Sequence, residues 1–399
     1  MIRRVDGGSS SVGSVEKFSR PEAPAPEPKV VRPAIDQSKD TFSTGGKAIG
    51  AAAKAAGGAV AEAGGATGAT GAAGVGDAKA NKTRDEFQAT EGYKSLSTEQ
   101  QKQALEVFDT MDAAGQRNMV DLAERQVNGK TALLDTDTTG KTLLSNLHQI
   151  ATQPMPQSFA DAGVTRESLL GSITQEASNP GQINQHDRGT CTVTSMQYML
   201  NSSNPAEYMR LMAGLTSESG EVKLANGDTL SRDKDSIAMD SATDRSSSER
   251  LFQSAMMQYA KGGDEDDYSN VADKDEGLDA GEQEDALEGL FSKGFDNESG
   301  SMWNFTPGEE EVLNLLKERS PQDTYIRMKW GEGKEGGHAV VVDRVENGRV
   351  YFRNPHGPGG TQGDKLEDPP RIVEDPNTGI QSMSEEDFLK WVKSAMVPS

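Results

Sequence analysis

The sequence predicts an α+β chain, and three observations predict it. Apolar residues recur at helical spacing behind capping residues through the middle of the chain, apolar runs that alternate or continue as strands do fill its last hundred residues, and its first stretch is too poor in large apolar side chains to fold. With 399 residues there is room for two or three domains. The formal net charge of −22 argues against wrapping a nucleic-acid backbone, which needs clustered Lys and Arg that release counterions. No run of about 18 apolar residues occurs, so no helical membrane span is expected. The opening MIRRVDGGSSSVG turns polar where a Sec-type signal peptide needs its apolar segment, so the chain is expected in the cytoplasm or exported without such a signal.

Residues 1–84 read as a disordered low-complexity tail, first Ser- and Pro-rich (RPEAPAPEPKVVRP), then Ala- and Gly-rich. Such a segment buries too little to offset its ordering entropy. It suits an exported bacterial effector, a zymogen or a linker. A helical domain is expected over 85–172. Ser97-Thr98-Glu99-Gln100 has the capping-box pattern, and Ala104, Leu105, Phe108 and Met111 follow at helical spacing. Further helix is expected around Met119, Leu122, Ala123 and Arg125, and around Leu143, Leu144, Leu147 and Ile150. Asp135-Thr136-Asp137-Thr138-Thr139-Gly140 resembles the start of a calcium loop, but Asn146 stands where the bidentate Glu belongs, so a capped turn is expected.

A second domain is expected over 173–399. Val193, Met196, Met199 and Leu200 suit a buried helix that begins at Cys191, and Asn204-Pro205-Ala206-Glu207 opens the next with a cap and an N1 proline. Residues 217–300 read as an acidic insertion, with a hairpin at Asn226-Gly227 and a short helix near Leu251 to Tyr259. Its Asp273 to Asp279 run is a calcium loop one residue too short, so a solvated acidic surface is expected from about 260 to 300, away from Cys191. Tyr325 to Trp330, HAVVVDRV and Arg349 to Arg353 read as strands, the last two joined at Asn347-Gly348. Ser384 then caps a C-terminal helix carrying Phe388, Leu389, Trp391 and Val392.

Cys191 is the chain's one cysteine, so it forms no internal disulfide and belongs to no C-x-x-C metal pair. Taken singly, a cysteine at a helix start is a core residue. It becomes a nucleophile if a helix N-terminus and an imidazolium lower its pKa. Of His148, His186, His338 and His356, His338 fits best, because it opens an apolar strand behind two glycines. An orienting group must share its face. A two-residue turn at Asn347-Gly348 would pair Val341 with Asn354 and put His338 and Asn354 on opposite faces. A three-residue loop, Glu346-Asn347-Gly348, pairs Val340 with Asn354 and makes the two diagonal neighbours, so that loop is expected. The Cys191 N–H and the Gln185 amide supply oxyanion donors.

Gln185, Gly189-Thr190-Cys191, Gly337-His338-Ala339 and Arg353-Asn354-Pro355-His356-Gly357 resemble the signatures of the papain-like cysteine proteases, in the family's order. The Asn-Pro-x-Gly run is most like calpains and the peptidases that trim bacteriocin leaders. Two positions depart from the pattern: Thr192 replaces the aromatic after the cysteine, and His356 stands in place of the Trp that shields the Asn–His hydrogen bond. The resemblance implies a papain-like fold, a central Cys-bearing helix on an antiparallel sheet carrying His and Asn. It implies a cysteine peptidase with catalytic Cys191, His338, Asn354 and Gln185, a protein or peptide substrate, and no cofactor or metal. A deamidase or transglutaminase-like enzyme with the same triad, and a non-catalytic binding module, are the alternatives. The oligomeric state is left open.

Overall fold

A computed structural model describes residues 83–232, 236–237, 245–263, 268–269, 277–291, 303–305, 308–329, 337–357, 370–376 and 378–398. The expected tail, but for its last two residues, and the shortened calcium loop up to Glu276 lie outside the described residues. The described part is mixed α+β with antiparallel sheets, the expected class.

Order begins before the capping box. Residues 83–89 form a helix, α1, whose Phe87 is fully buried and stacked on Phe108 at a 5.0 Å centroid distance. Described helix thus takes in residues 83 and 84, the last two of the expected tail. Then come α2 (Glu91–Lys94), α3 (Thr98–Asp109), α4 (Ala113–Glu124), the short pair β1 (Gln126–Val127) and β2 (Lys130–Thr131), α5 (Leu143–Thr152), α6 (Gln157–Asp161) and α7 (Arg166–Ser178). Both reciprocal hydrogen bonds of the Ser97/Gln100 capping box are made. The DTDTTG segment is a capped turn: Asp137 accepts from the Thr139 N–H, the Lys141 N–H and Asn146 Nδ2, so its carboxylate is satisfied without a cation.

The helical part is continuous with the second half of the chain and not set apart from it. Buried residues from Phe87 to Met396 form one core that includes α8 (Cys191–Ser203) and α9 (Pro205–Leu215). The Arg125 guanidinium ties them, donating to the carbonyls of Ala177 and Asn201. The expected hairpin at Asn226-Gly227 is present as β3 (Glu221–Lys223) and β4 (Thr229–Ser231). The expected short helix is α10 (Ser247–Ala260), and almost all of it is buried. With α11 (Ala280–Phe291) it packs on the Cys191 helix, so this part of the expected insertion is core, not appendage.

The remaining elements are β5 (Trp303–Phe305), α12 (Glu309–Arg319), β6 (Thr324–Lys329), β7 (Gly337–Glu346), β8 (Arg349–Arg353), β9 (Val373–Glu374), β10 (Gln381–Ser384), α13 (Glu385–Trp391) and β11 (Val392–Pro398). They build an antiparallel seven-stranded sheet in the order β5-β11-β6-β7-β8-β10-β9. Strand alternation divides its side chains: Tyr325, Ala339 and Val341 face the core of α8, while Ile326, Val340, Val342 and Phe352 face α12 and α13.

The β7–β8 hairpin differs from expectation in a specific way. Glu346 pairs with Arg349, so the turn has two residues, Asn347 and Gly348, at φ 52° and 74°. A bulge at Asp343 then shifts the register, and Val341 pairs with Arg353. The expected register is reached, but the extra residue sits inside the strand and not in the loop.

Candidate active site

Cys191 is the first residue of α8, after Thr190 at the N-cap, and is partly buried. The helix lies on β7 through one turn: Ser195 Oγ donates to the Ala339 carbonyl at 3.2 Å, and the Ala339 backbone and Thr192 are near enough to the Cys191 sulfur to favour its thiolate. Ala339 comes directly after His338, so the helix that begins at Cys191 lies against the strand that carries the imidazole.

His338 is buried, and its Nε2 meets Asn354 Oδ1 at 2.9 Å. The ring of His356 stacks on His338 with centroids 5.0 Å apart and 18° between planes. Asn354 opens a tight turn in which the His356 N–H donates to Asn354 Oδ1 at 3.1 Å and the Gly357 N–H to the Asn354 carbonyl at 2.9 Å. Gly357 has φ 74°, and a Cβ there would sit 2.1 Å from Asn184 Nδ2, so both conformation and space require glycine.

That turn is laced to the segment before the cysteine. The Gln185 N–H donates to the Pro355 carbonyl at 2.7 Å, and His356 Nδ1 lies 3.2 Å from the His186 carbonyl. The Gln185 side chain is buried and donates to the Arg188 carbonyl at 2.6 Å, which holds its amide inside the turn that leads to Cys191. The structure thus brings Gln185, Cys191, His338, Asn354 and His356 to one end of α8. His148 is remote, paired at 2.7 Å with Glu106 in the helical part.

Sequence reasoning missed the residues that fix this end. On α10, the fully buried Gln253 uses its whole amide: Nε2 donates to the Asn184 carbonyl (3.0 Å) and to Gln197 Oε1 (3.1 Å), while Oε1 accepts from Thr190 Oγ1 (3.0 Å) and Arg245 (3.3 Å). Glu249 accepts from the Asn184 N–H at 2.8 Å. One helix therefore grips the chain just before Gln185 and just before Cys191. Behind it Gln197 leads to Glu176, a carboxyl also bonded by Tyr208, Ser246 and Ser248 and pushed up to about 8 by burial and by the charge of Glu249. A lone Gln in a stretch that reads as an insertion gives no signal of such a role.

α11 also reaches the site. Tyr325 donates to Gln283 Oε1 at 2.9 Å and stands 3.3 Å from Thr192 Oγ1, beside the cysteine. The expectation that the segment from 260 to 300 lies away from Cys191 is corrected here: its helix packs against the start of α8, because Ala286, Leu287 and Leu290 belong to the same core.

Burial also reverses the expected ion pair. It pushes the Cys191 thiol above its ordinary range, against the hydrogen bonds from Ala339 and Thr192 that favour thiolate. It pushes His338 down to about 3, with the charge of His356 acting in the same direction and the Asn354 bond opposing. His356 is lowered too, first by burial. Both shifts favour the neutral thiol and the neutral imidazole over thiolate and imidazolium. Among the described residues no cluster of His, Cys, Asp and Glu is arranged to hold a metal ion, and no helix is long and apolar enough to cross a membrane. Compared with protein-family models, with curated proteins and with solved structures, the chain matches none of them.

Proposed function

We propose that the chain is a cysteine peptidase of papain-like architecture, with Cys191 as nucleophile, His338 as general base and acid, Asn354 as the group that orients the imidazole, and Gln185 as an oxyanion donor. The observation that carries this reading is the 2.9 Å His338 Nε2 to Asn354 Oδ1 bond, made by two residues sixteen apart beside a cysteine that begins a helix. Because Nε2 faces Asn354, proton transfer falls to Nδ1.

The reaction is set by these roles. His338 Nδ1 takes the thiol proton as Sγ bonds to the substrate carbonyl carbon, and the carbonyl electron pair moves to oxygen. The Cys191 N–H, a first-turn N–H that the helix cannot satisfy, stabilises that oxyanion together with the second N–H of Gln185 Nε2. The C–N bond then breaks, and the imidazolium gives its proton to the leaving amine. Water attacks the thioester with His338 again as base, and the thiol is restored. Starting from neutral partners, the proton moves with the attack, so burial costs no preformed charge.

A second reading, a non-catalytic binding module that keeps the arrangement, is favoured by the burial of His338, Asn354 and Gln185. Incubating the protein with a denatured peptide library and sequencing new termini separates the two. Cleavage by the native chain, abolished by Cys191→Ala and lowered at least about a thousandfold by His338→Ala, is the expected result. Ammonia release from Gln side chains without new termini would move the chemistry to a deamidase. Neither product would leave the binding module.

A further inference from the structure

We propose that Glu374 and Gln381 are positioning residues that set which ring nitrogen of His338 carries the proton. The inference rests on the peptidase reading for its use, though not for its geometry. Glu374 on β9 and Gln381 on β10 are direct cross-strand partners, and Gln381 in turn pairs with Phe352 on β8, two residues before Asn354. Their side chains form a line. Gln381 Nε2 donates to Glu374 Oε2 at 3.0 Å, and Gln381 Oε1 accepts from Asn354 Nδ2 at 3.1 Å. Asn354 Oδ1 then faces His338 Nε2 at 2.9 Å.

The direction of every bond in this line is forced from its outer end. An ionised carboxylate can only accept, so Gln381 must present its NH2 to Glu374 and its oxygen to Asn354. Asn354 must therefore present its NH2 to Gln381 and its oxygen to His338. The His356 N–H, which can only donate, points into the same Asn354 oxygen and agrees from an independent side. His338 Nε2 can then only be the N–H, which leaves Nδ1 with a lone pair. Since His338 is neutral at pH 7, it carries a single ring proton, and the tautomer decides whether it is a base at Nδ1. Gln381 is fully buried and Asn354 nearly so, so flipping either amide would leave buried groups mismatched. A glutamate outside the proposed catalytic set thus acts through two amides on the base.

Long-range proton–nitrogen NMR of the full chain reads the tautomer directly. The chain has four histidines, and the His338 signals are those lost in His338→Gln. The native protein is expected to show one tautomer, with a pyrrole-type Nε2 and a pyridine-type Nδ1. Glu374→Gln is isosteric, and a side-chain amide can donate or accept, so the line loses its fixed direction. With only the His356 N–H left to hold the Asn354 oxygen, a second tautomer is expected beside the first, with peptide cleavage slowed by up to roughly fivefold, the effect of one hydrogen bond, and an unchanged thermal midpoint as the control for folding. Gln381→Glu alone still presents an acceptor to Asn354 Nδ2 and should keep the single tautomer, although its two facing carboxylates should lower the thermal midpoint. Combined with Glu374→Gln, the carboxylate at 381 accepts from the amide at 374 and from Asn354 Nδ2, and should restore the single tautomer. An unchanged single tautomer in folded Glu374→Gln, or a folded double variant as mixed as Glu374→Gln, overturns the proposal. Tautomers that respond as expected in a protein that cuts no peptide would uphold the positioning role and sink the peptidase reading instead.

Discussion

His338 sits between two partners that do different things to it: Asn354 binds an edge nitrogen, and His356 covers a face. A hydrogen bond open to water is worth less than one shielded from it, because water competes for both groups. In the proposed papain-like arrangement the His356 ring occupies the place of the shielding Trp. An aromatic of any kind should then serve: His356→Phe is expected to keep cleavage within about threefold, while His356→Ala should lose roughly tenfold in kcat/KM, the value of about 1.4 kcal/mol. Equal loss in both variants would mean that the ring's nitrogen, and its contact with the His186 carbonyl, is what matters. Cys191, His338 and Asn354 were legible in the sequence because chain order and strand alternation place them without knowledge of the fold. Gln381 and Glu374 were not. Each is a single polar residue in a strand of four residues or fewer, too short to show a period.

At the scale of elements, the same contrast separates the β7–β8 hairpin from α10. Two strands joined at Asn-Gly could be read, and so could the register that brings Asn354 to His338, yet the register is produced by a bulge at Asp343 that leaves no local mark in the sequence. The buried helix α10 falls inside the expected acidic insertion because the charge of its flanks hides the apolar set Leu251, Phe252, Ala255, Met256 and Met257. Its grip on the site makes a testable claim. Gln253→Ala removes four hydrogen-bonded contacts and leaves the Asn184 carbonyl and Thr190 hydroxyl in a buried place without this partner, a cost of about 1–3 kcal/mol. A lower denaturation midpoint is therefore expected. Alkylation of Cys191 in the still-folded variant should become faster, since the loosened start of α8 admits the reagent. A midpoint shift with unaltered alkylation would show that α10 supports the core but not the cysteine.

For the whole molecule, the buried titratable groups predict a stability profile with two limbs. Glu176 is pushed up to about 8 and Asp323 to about 7, both first by burial and then by a neighbouring carboxylate. Each keeps its proton in the folded chain at pH values where the unfolded chain has released it, so rising pH favours unfolding from about 4 up to 8. The growing self-repulsion of a chain with formal charge −22 adds to that limb. His338 works from the other side. Its folded value of about 3 lies below the ordinary 6.5, so the unfolded chain takes up a proton first and stability falls as pH drops from 6.5 toward 3. Between about 4.5 and 6.5 the slopes oppose, but two raised carboxyls outweigh one lowered imidazole, so the maximum is expected at about pH 4 and stability declines above it. Denaturant midpoints at pH 4, 5.5 and 8 should show it. Glu176→Gln, which stays neutral, should flatten the alkaline limb by on the order of 2 kcal/mol between pH 5.5 and 8 and leave the acid limb alone. His338→Gln should do the reverse. If Glu176→Gln left the alkaline limb as steep as before, the carboxyl would be ionised in the folded chain, a buried charge held by the four groups that donate to it, Tyr208, Ser246, Ser248 and Gln197.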